Sequence, residues 1–114
     1  MNEIEVRDKL IADGVAGGRI YRTLAPDNVQ YPYVRFTVQK TPLVQDMISN
    51  DGWRNTFMFQ VYGQTFEQAK LAQIELQQSM KLIGREITYT DDEYPDPETG
   101  SYRIINDWFV NELN

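Results

Sequence analysis

Polar and apolar residues alternate in several stretches of this chain. From Tyr33 to Gln39, Val34, Phe36 and Val38 point one way and Tyr33, Arg35, Thr37 and Gln39 the other, the period-two pattern of a half-buried strand. From Trp53 to Tyr62, Phe57, Phe59 and Val61 alternate with Thr56, Met58, Gln60 and Tyr62, which predicts a second strand. Arg85 to Thr90 alternates again, with Ile87 and Tyr89 on one face. Tyr102 to Leu113 reads as a long terminal strand, with Tyr102, Ile104, Asn106, Trp108 and Val110 on one side and Ile105, Phe109 and Leu113 on the other. Both sides of that last strand are substantially apolar, so it is expected to be covered on both.

Two other stretches carry helical spacing. Asn2 followed by Glu5 has the form of a capping box and Gly14 is a stop, so a short helix is expected between them. Its apolar residues are divided: Ile4, Ile11 and Val15 share a stripe while Val6 and Leu10 lie nearly opposite, so this helix either packs on two sides or waits for a partner. Thr65 with Gln68 forms a second box, opening a helix from Phe66 to about Ile83 with Gly84 as its stop. Phe66, Ala69, Ala72, Leu76, Met80 and Ile83 fall within about 120° on a wheel of 100° per residue, a normal core stripe. Leu71, Ile74 and Leu82 form a second stripe, either a widened core face or a contact with another subunit. Arg19-Ile20-Tyr21 is a short extended piece after the Gly17-Gly18 break, and Pro26, Asn28 and Pro32 mark a loop. Asp91 to Gly100, with Pro95 and Pro97, is another loop.

The order helix, strand, strand, helix, strand, strand predicts an α+β fold. It consists of a single domain over residues 1–114, an antiparallel sheet of about four to five strands with two helices packed on one face. The first two strands are joined by Lys40 to Gly52, much longer than the two to five residues or so that a hairpin needs. That connection carries Leu43, Val44, Met47 and Ile48 with Asp46 and Asp51. A tip so long and so apolar is expected to touch something.

The chain has 114 residues, 41% hydrophobic and 25% charged, ordinary composition for one soluble domain with its own core. It has no cysteine and no histidine, which excludes disulfides, thiolate zinc sites, Cys or His nucleophile–base pairs and a histidine switch. No apolar run approaches the roughly 18 residues that span a bilayer, and MNEIEVRDKL is too charged for a secretory leader, so a cytoplasmic home is expected and no membrane association. The formal net charge of −6 is unevenly spread: Glu86 to Asn114 holds eight acids against Arg103 alone, leaving nine acids and ten bases in the first 85 residues. No clustered Lys/Arg stripe suits phosphate binding, so specific nucleic-acid recognition is not expected. The acidic end beside a near-neutral body is either a solvated loop and edge strand or one half of a head-to-tail contact between identical subunits. Tyr94, Glu98 and Tyr102 lie in that segment and join Leu71, Ile74 and Leu82 as candidates for subunit contact.

Paired carboxylates are the main catalytic raw material. Asp91-Asp92-Glu93 and Asp96-x-Glu98 could hold a hard cation or act as an acid/base pair, but the EF-hand core is absent and an exposed Pro-containing loop lacks the desolvation that tunes a catalytic carboxyl. Ser49, Ser79 and Ser101 have no histidine to activate them, and Gly14 to Gly18 lacks the phosphate-loop pattern. No catalytic residue, metal site or cofactor is expected.

A co-linear set of stretches carries a family resemblance. It comprises Val15-Ala16-Gly17-Gly18-Arg19-Ile20-Tyr21 after the first helix, Pro26, Tyr31-Pro32-Tyr33-Val34-Arg35-Phe36 and Phe59-Gln60-Val61-Tyr62 before a helix with alanines at 69 and 72. It closes with Asp96-Pro97-Glu98-Thr99-Gly100-Ser101-Tyr102-Arg103 and a strand ending Asp107-Trp108-Phe109-Val110. Together these resemble the small tail-completion and tail-terminator proteins of long-tailed bacteriophages and prophages. The resemblance implies an antiparallel sheet with two helices on one face and no catalytic residues. It also implies a ring, usually of six subunits, that caps the tail tube, ends tube polymerisation and offers a docking surface to the head. The implied partners are further copies of the chain, the tail tube protein and the head–tail connector, met in the host cytoplasm and then at the head-proximal end of the virion tail. The tip residues Leu43, Val44, Asp46, Met47, Ile48 and Asp51 become candidates for contact with the tube or an adjacent ring. Two other classes stay open: another virion part, such as a head-side connector adaptor or a tail-tube subunit, and a small cytosolic ligand-binding domain or enzyme using the acidic loop.

Overall fold

The computed structural model describes residues 1–43, 52–92 and 94–113. Helix α1 (Glu3–Ala12) begins at the expected cap: the Asn2 side chain accepts the Glu5 N–H at 2.9 Å, and the Glu5 carboxylate accepts the Asn2 N–H at 3.2 Å. Gly14, at φ +74°, turns the chain out of the helix into a 3₁₀ turn over Val15–Gly18. Strands β1 (Ile20–Arg22), β2 (Tyr33–Pro42) and β3 (Gly52–Gly63) follow, then helix α2 (Phe66–Met80) and strands β4 (Arg85–Asp91) and β5 (Tyr102–Leu113).

The five strands form one sheet in the order β1-β2-β3-β5-β4, and the fold is α+β. Pairing is antiparallel across β2–β3, β3–β5 and β4–β5, with Val34 opposite Val61, Phe36 opposite Phe59 and Phe57 opposite Trp108. The edge pair β1–β2 is parallel, Ile20 beside Val34 and Arg22 beside Phe36, so the sheet is mixed rather than purely antiparallel. A parallel return normally needs a long crossover. Here β1 is so short that the proline-marked segment over residues 23–32 can carry the chain back to the same end.

Both helices pack on one face of the sheet, as expected. The core joins Val6 and Leu10 of α1, Val15 and Ala16 of the turn, Val34, Phe36, Phe57, Phe59 and Val61 of the central strands, Ala69, Ala72, Leu76 and Met80 of α2, and Ile104, Trp108 and Val110 of β5. Phe36, Phe57 and Phe59 interlock with ring centroids 5.7–6.0 Å apart, and each such buried ring contributes about 1.5–3 kcal/mol. The division within α1 resolves in favour of Val6 and Leu10; Ile4 and Ile11 are exposed, and Val15 has left the helix at Gly14.

Helix α2 departs from expectation at both ends. Thr65 Oγ1 accepts the Gln68 N–H at 3.1 Å, but the Gln68 side chain accepts from Gln64 N–H at 2.7 Å rather than from Thr65, so the reciprocal bond closes one residue further out. The helix ends at Met80, not Ile83. The Ile83 and Gly84 N–H groups then bond back to the Met80 carbonyl at 3.0 and 2.9 Å, a tight turn that lays Gly84 against β5, where a Cβ would stand 2.5 Å from Phe109 O. Phe66 lies at the rim of the core stripe, exposed and edge-on to Tyr102.

The terminal strand is covered on one face only. Ile104, Asn106, Trp108 and Val110 are buried under α2, while Ile105 and Phe109 on the opposite face are half-buried among side chains of their own sheet, with Arg54 lying 4.2 Å over the Phe109 ring. The apolar second face of β5 has no second layer of helices behind it among the described residues.

Candidate assembly surfaces

The second stripe of α2 is not a widened core. Its buried positions, Ala69, Ala72, Gln73, Leu76, Ser79 and Met80, face the sheet, so Leu71 and Ile74 stand on the outer ridge at 65% and 47% exposure, and Leu82, in the turn after the helix, reaches 73%. Glu67, Glu75 and Gln78 share the ridge with Leu71 and Ile74, all exposed. These five positions span about 100° of helical wheel. The Glu75 carboxylate also reaches the Ala16 N–H at 3.2 Å, tying the ridge to the turn after α1.

The acidic loop is ordered by its own charges. Asp92 receives Arg103 Nε at 2.9 Å, a contact that raises the guanidinium pKa further. Asp96 Oδ1 accepts the Glu98 and Thr99 N–H groups at 2.8 and 3.2 Å, the Asx geometry of a turn, and Gly100 takes φ +71° where the turn closes. Tyr94 is 75% exposed and lines a cleft with Asp96, Ser101 and Arg103 beside Tyr62. Glu98 is exposed and Tyr102 half-buried against Phe66. Six candidate contact residues therefore fall in two places. Tyr94, Glu98 and Tyr102 lie at the loop, near the start of α2, and Leu71, Ile74 and Leu82 run along and past the helix. Of the tip candidates, Leu43 is half-buried, its N–H bonded to Gly52 O at 3.0 Å; Val44, Asp46, Met47, Ile48 and Asp51 lie outside the described residues.

The open face of the sheet carries a group whose members alternation placed outward and the co-linear stretches include, but which was not among the candidate contact residues. Tyr33 stacks on Tyr62 with centroids 4.8 Å apart and planes 13° from parallel, and Tyr31 and Tyr21 close on Tyr33 at 5.5 and 6.4 Å. Arg35 extends across them, donating to Tyr62 Oη at 2.7 Å and from Nε to Gln60 Oε1 at 3.1 Å. Burial pushes the Tyr33 hydroxyl pKa up, with the neighbouring Tyr62 adding to it. Outward tyrosines at directly opposed positions on two adjacent strands are the signal by which a sequence reader could have found this cluster. Further along the same face lie Met58, Ile105 and Phe109, ringed by Arg54 and Arg85.

Asp13, Asp91, Asp92, Asp96, Glu3, Glu75, Glu86 and Glu112 are committed to structural contacts. Among the described residues no three acidic, His or Cys groups converge to hold a metal ion, and no helix is long and apolar enough to cross a membrane. Ser79 donates to Asp13 at 2.6 Å and receives Lys9 at 3.3 Å; the three together clasp the end of α1 to α2.

No protein-family model and no curated protein matches the sequence. Among solved structures, a chain from the virion of a native gene transfer agent (GTA) particle aligns with a TM-score of 0.66 at 16% identity, covering 96% of this chain and 92% of that one. At that identity the likeness shows a shared fold over nearly the full length.

Proposed function

We propose that the chain is a non-enzymatic structural subunit of a phage-like virion. In this reading it assembles into a ring, six-membered as in the tail-terminator proteins it resembles, that caps the tail tube, ends tube polymerisation and presents the surface on which the head docks. The observation that carries the reading is the likeness, over 96% of the chain, to a chain of a gene transfer agent virion. The co-linear stretches resembling tail-terminator proteins narrow it to the tail. Its partners are further copies of itself, the tail tube protein and the head–tail connector protein. It works in the host cytoplasm during assembly and at the head-proximal end of the finished tail.

The candidate contact residues then acquire uses. Leu71, Ile74 and Leu82 with Tyr94, Glu98 and Tyr102 serve contacts between subunits. The tip, from Leu43 through Val44, Asp46, Met47 and Ile48 to Asp51, reaches the tube or an adjacent ring. Leu71, Ile74, Leu82 and Tyr94, all exposed on a small chain, suit a protein that spends its working life in contact with others.

The test is tail length by electron microscopy in lysates of the encoding phage or prophage after deletion of the gene. Overlong headless tubes are expected. Tails of normal length without heads would move the protein to the joining step, and intact infective particles would overturn the proposal.

A further inference from the structure

The ring contact has a geometry that can be argued from the two faces of the molecule. We infer that the outer ridge of α2 in one copy seats on the open face of the sheet in the next; the inference rests on the ring reading above. The open face has an apolar centre, Met58, Ile105 and Phe109, on adjacent strands β3 and β5. Arg35, Arg54, Arg85 and Arg103 project on the same side, and Asp107 is the acid among the described strand positions there. Arg103 is already paired with Asp92, so three arginines remain to face a partner. The ridge answers in kind: Leu71 and Ile74 form its apolar centre and Glu67 and Glu75 flank them; its five helical positions carry no base, and the nearest, exposed Lys81, stands past the helix end beside Leu82.

The two patches lie on opposite sides of the molecule, because α2 packs on one face of the sheet and the arginines lie on the other. A sheet face meeting its own copy would oppose arginine to arginine, and ridge against ridge would oppose glutamate to glutamate. Both are disfavoured, whereas ridge on sheet joins complementary charges around apolar centres. A contact between two different patches is heterologous and must repeat from copy to copy, closing into a ring when the rotation allows. Polar satisfaction points the same way. Asp107 Oδ1, on the open face, is buried without a donor among the described residues, and an unmet buried acceptor is costly. Gln78, exposed on the ridge, supplies an amide N–H that a seated helix would bring to that face.

The chain contains no cysteine, which makes the test direct. Met58→Cys and Leu71→Cys are prepared as separate proteins, both at exposed side chains, checked for unchanged thermal melts, mixed and oxidised at about 1 mM, where contacts as weak as ~1 mM are populated. The mixed disulfide dimer is expected to exceed either homodimer about tenfold, the ratio that one factor-of-ten difference in affinity produces. Adding Arg54→Glu and Arg85→Glu to the Met58→Cys chain is expected to reduce the mixed product severalfold. Dominant homodimers, no cross-link at all, or a mixed yield indifferent to the charge reversals would overturn the inference. The two readings fail separately. Overlong tails on gene deletion with dominant Met58→Cys homodimers would leave tail capping standing on a different interface. A strong mixed dimer with normal tails would leave the interface standing without the function.

Discussion

Asn106 occupies a core-facing position in the middle of β5, fully buried between α2 and the sheet. Its side-chain oxygen accepts Gln73 Nε2 at 2.7 Å and the Trp108 indole N–H, and its amide donates to Thr88 O at 2.7 Å and Glu86 Oε2 at 3.0 Å. Those last two bonds straddle the register shift between Glu86 and Thr88 in β4, so one side chain fixes where the edge strand bulges. Asn106→Leu strands the indole N–H, the Gln73 amide and the Thr88 carbonyl at once. It is expected to cost about 2–4 kcal/mol, since each unmet buried polar group costs roughly 1–3. Gln73→Leu should differ from the wild type by no more than about 1 kcal/mol, because Gln73 Oε1 is itself buried without a partner and its removal relieves that cost. Urea denaturation of the two variants separates the cases; equal losses would refute the central role given to Asn106.

Among the elements, the joints between layers are the points of weakness. Gly63, the last residue of β3, leaves room for α2: a Cβ there would stand 2.4 Å from Ala69 N and 2.8 Å from Ala69 Cα. Because the obstacle is backbone, Gly63→Ala must push the first turn of α2 off the sheet, and a loss of about 1–3 kcal/mol is expected in a thermal or urea melt. A melt unchanged from the wild type would show that α2 is free to shift there. The other joint, Asp13 with Ser79 and Lys9, adds an acid limit to stability. The hydrogen bonds from Lys9 and Ser79 hold the Asp13 carboxyl below its ordinary value of 3.8. A lowered carboxyl stabilises the fold fully above that ordinary value, and its contribution disappears as the pH falls through the lower folded-state value. Asp13→Asn should therefore flatten the stability profile below about pH 4 while lowering stability at neutral pH. A profile that keeps the full acid slope would assign that slope to other carboxyls, Glu112 first, which Asn55 and Lys40 hold low in the same way.

At the scale of the whole molecule, charge and apolar surface are both divided between faces. The arginines of the open sheet and the glutamates of the α2 ridge point in opposite directions, and the acidic loop adds Asp96 and Glu98 at one end. A chain of net charge −6 repels its own copies at long range, so the inferred contact must be local and its charged rim screenable. The mixed Met58→Cys/Leu71→Cys product is expected to fall when sodium chloride is raised toward about 1 M, where the Debye length shrinks to roughly 3 Å. A yield that rises with salt would place the contact on apolar burial alone and remove the arginines from it.

Most of the local structure was written in the order of residues. The capping box at Asn2, the stop at Gly14, the alternation of β2, β3 and β5 and the core stripe of α2 are short-range signals, set by backbone groups that need partners and by periods of 2 and 3.6 residues. The α+β class followed from them. Of the site, sequence marked Leu71, Ile74 and Leu82 as a second stripe, but their spacing was equally compatible with a wider core. Exposure is a property of what packs nearby, and only the tertiary structure placed them outside. The same holds for β5, whose two apolar faces looked alike until both helices took one of them, and for β1, whose parallel pairing depends on how residues 23–32 return along the sheet edge. The tyrosine–arginine group on the open face gathers residues from three strands that are far apart in the chain. A linear pattern gives each residue's side of its own strand, and only the pairing register brings those sides together.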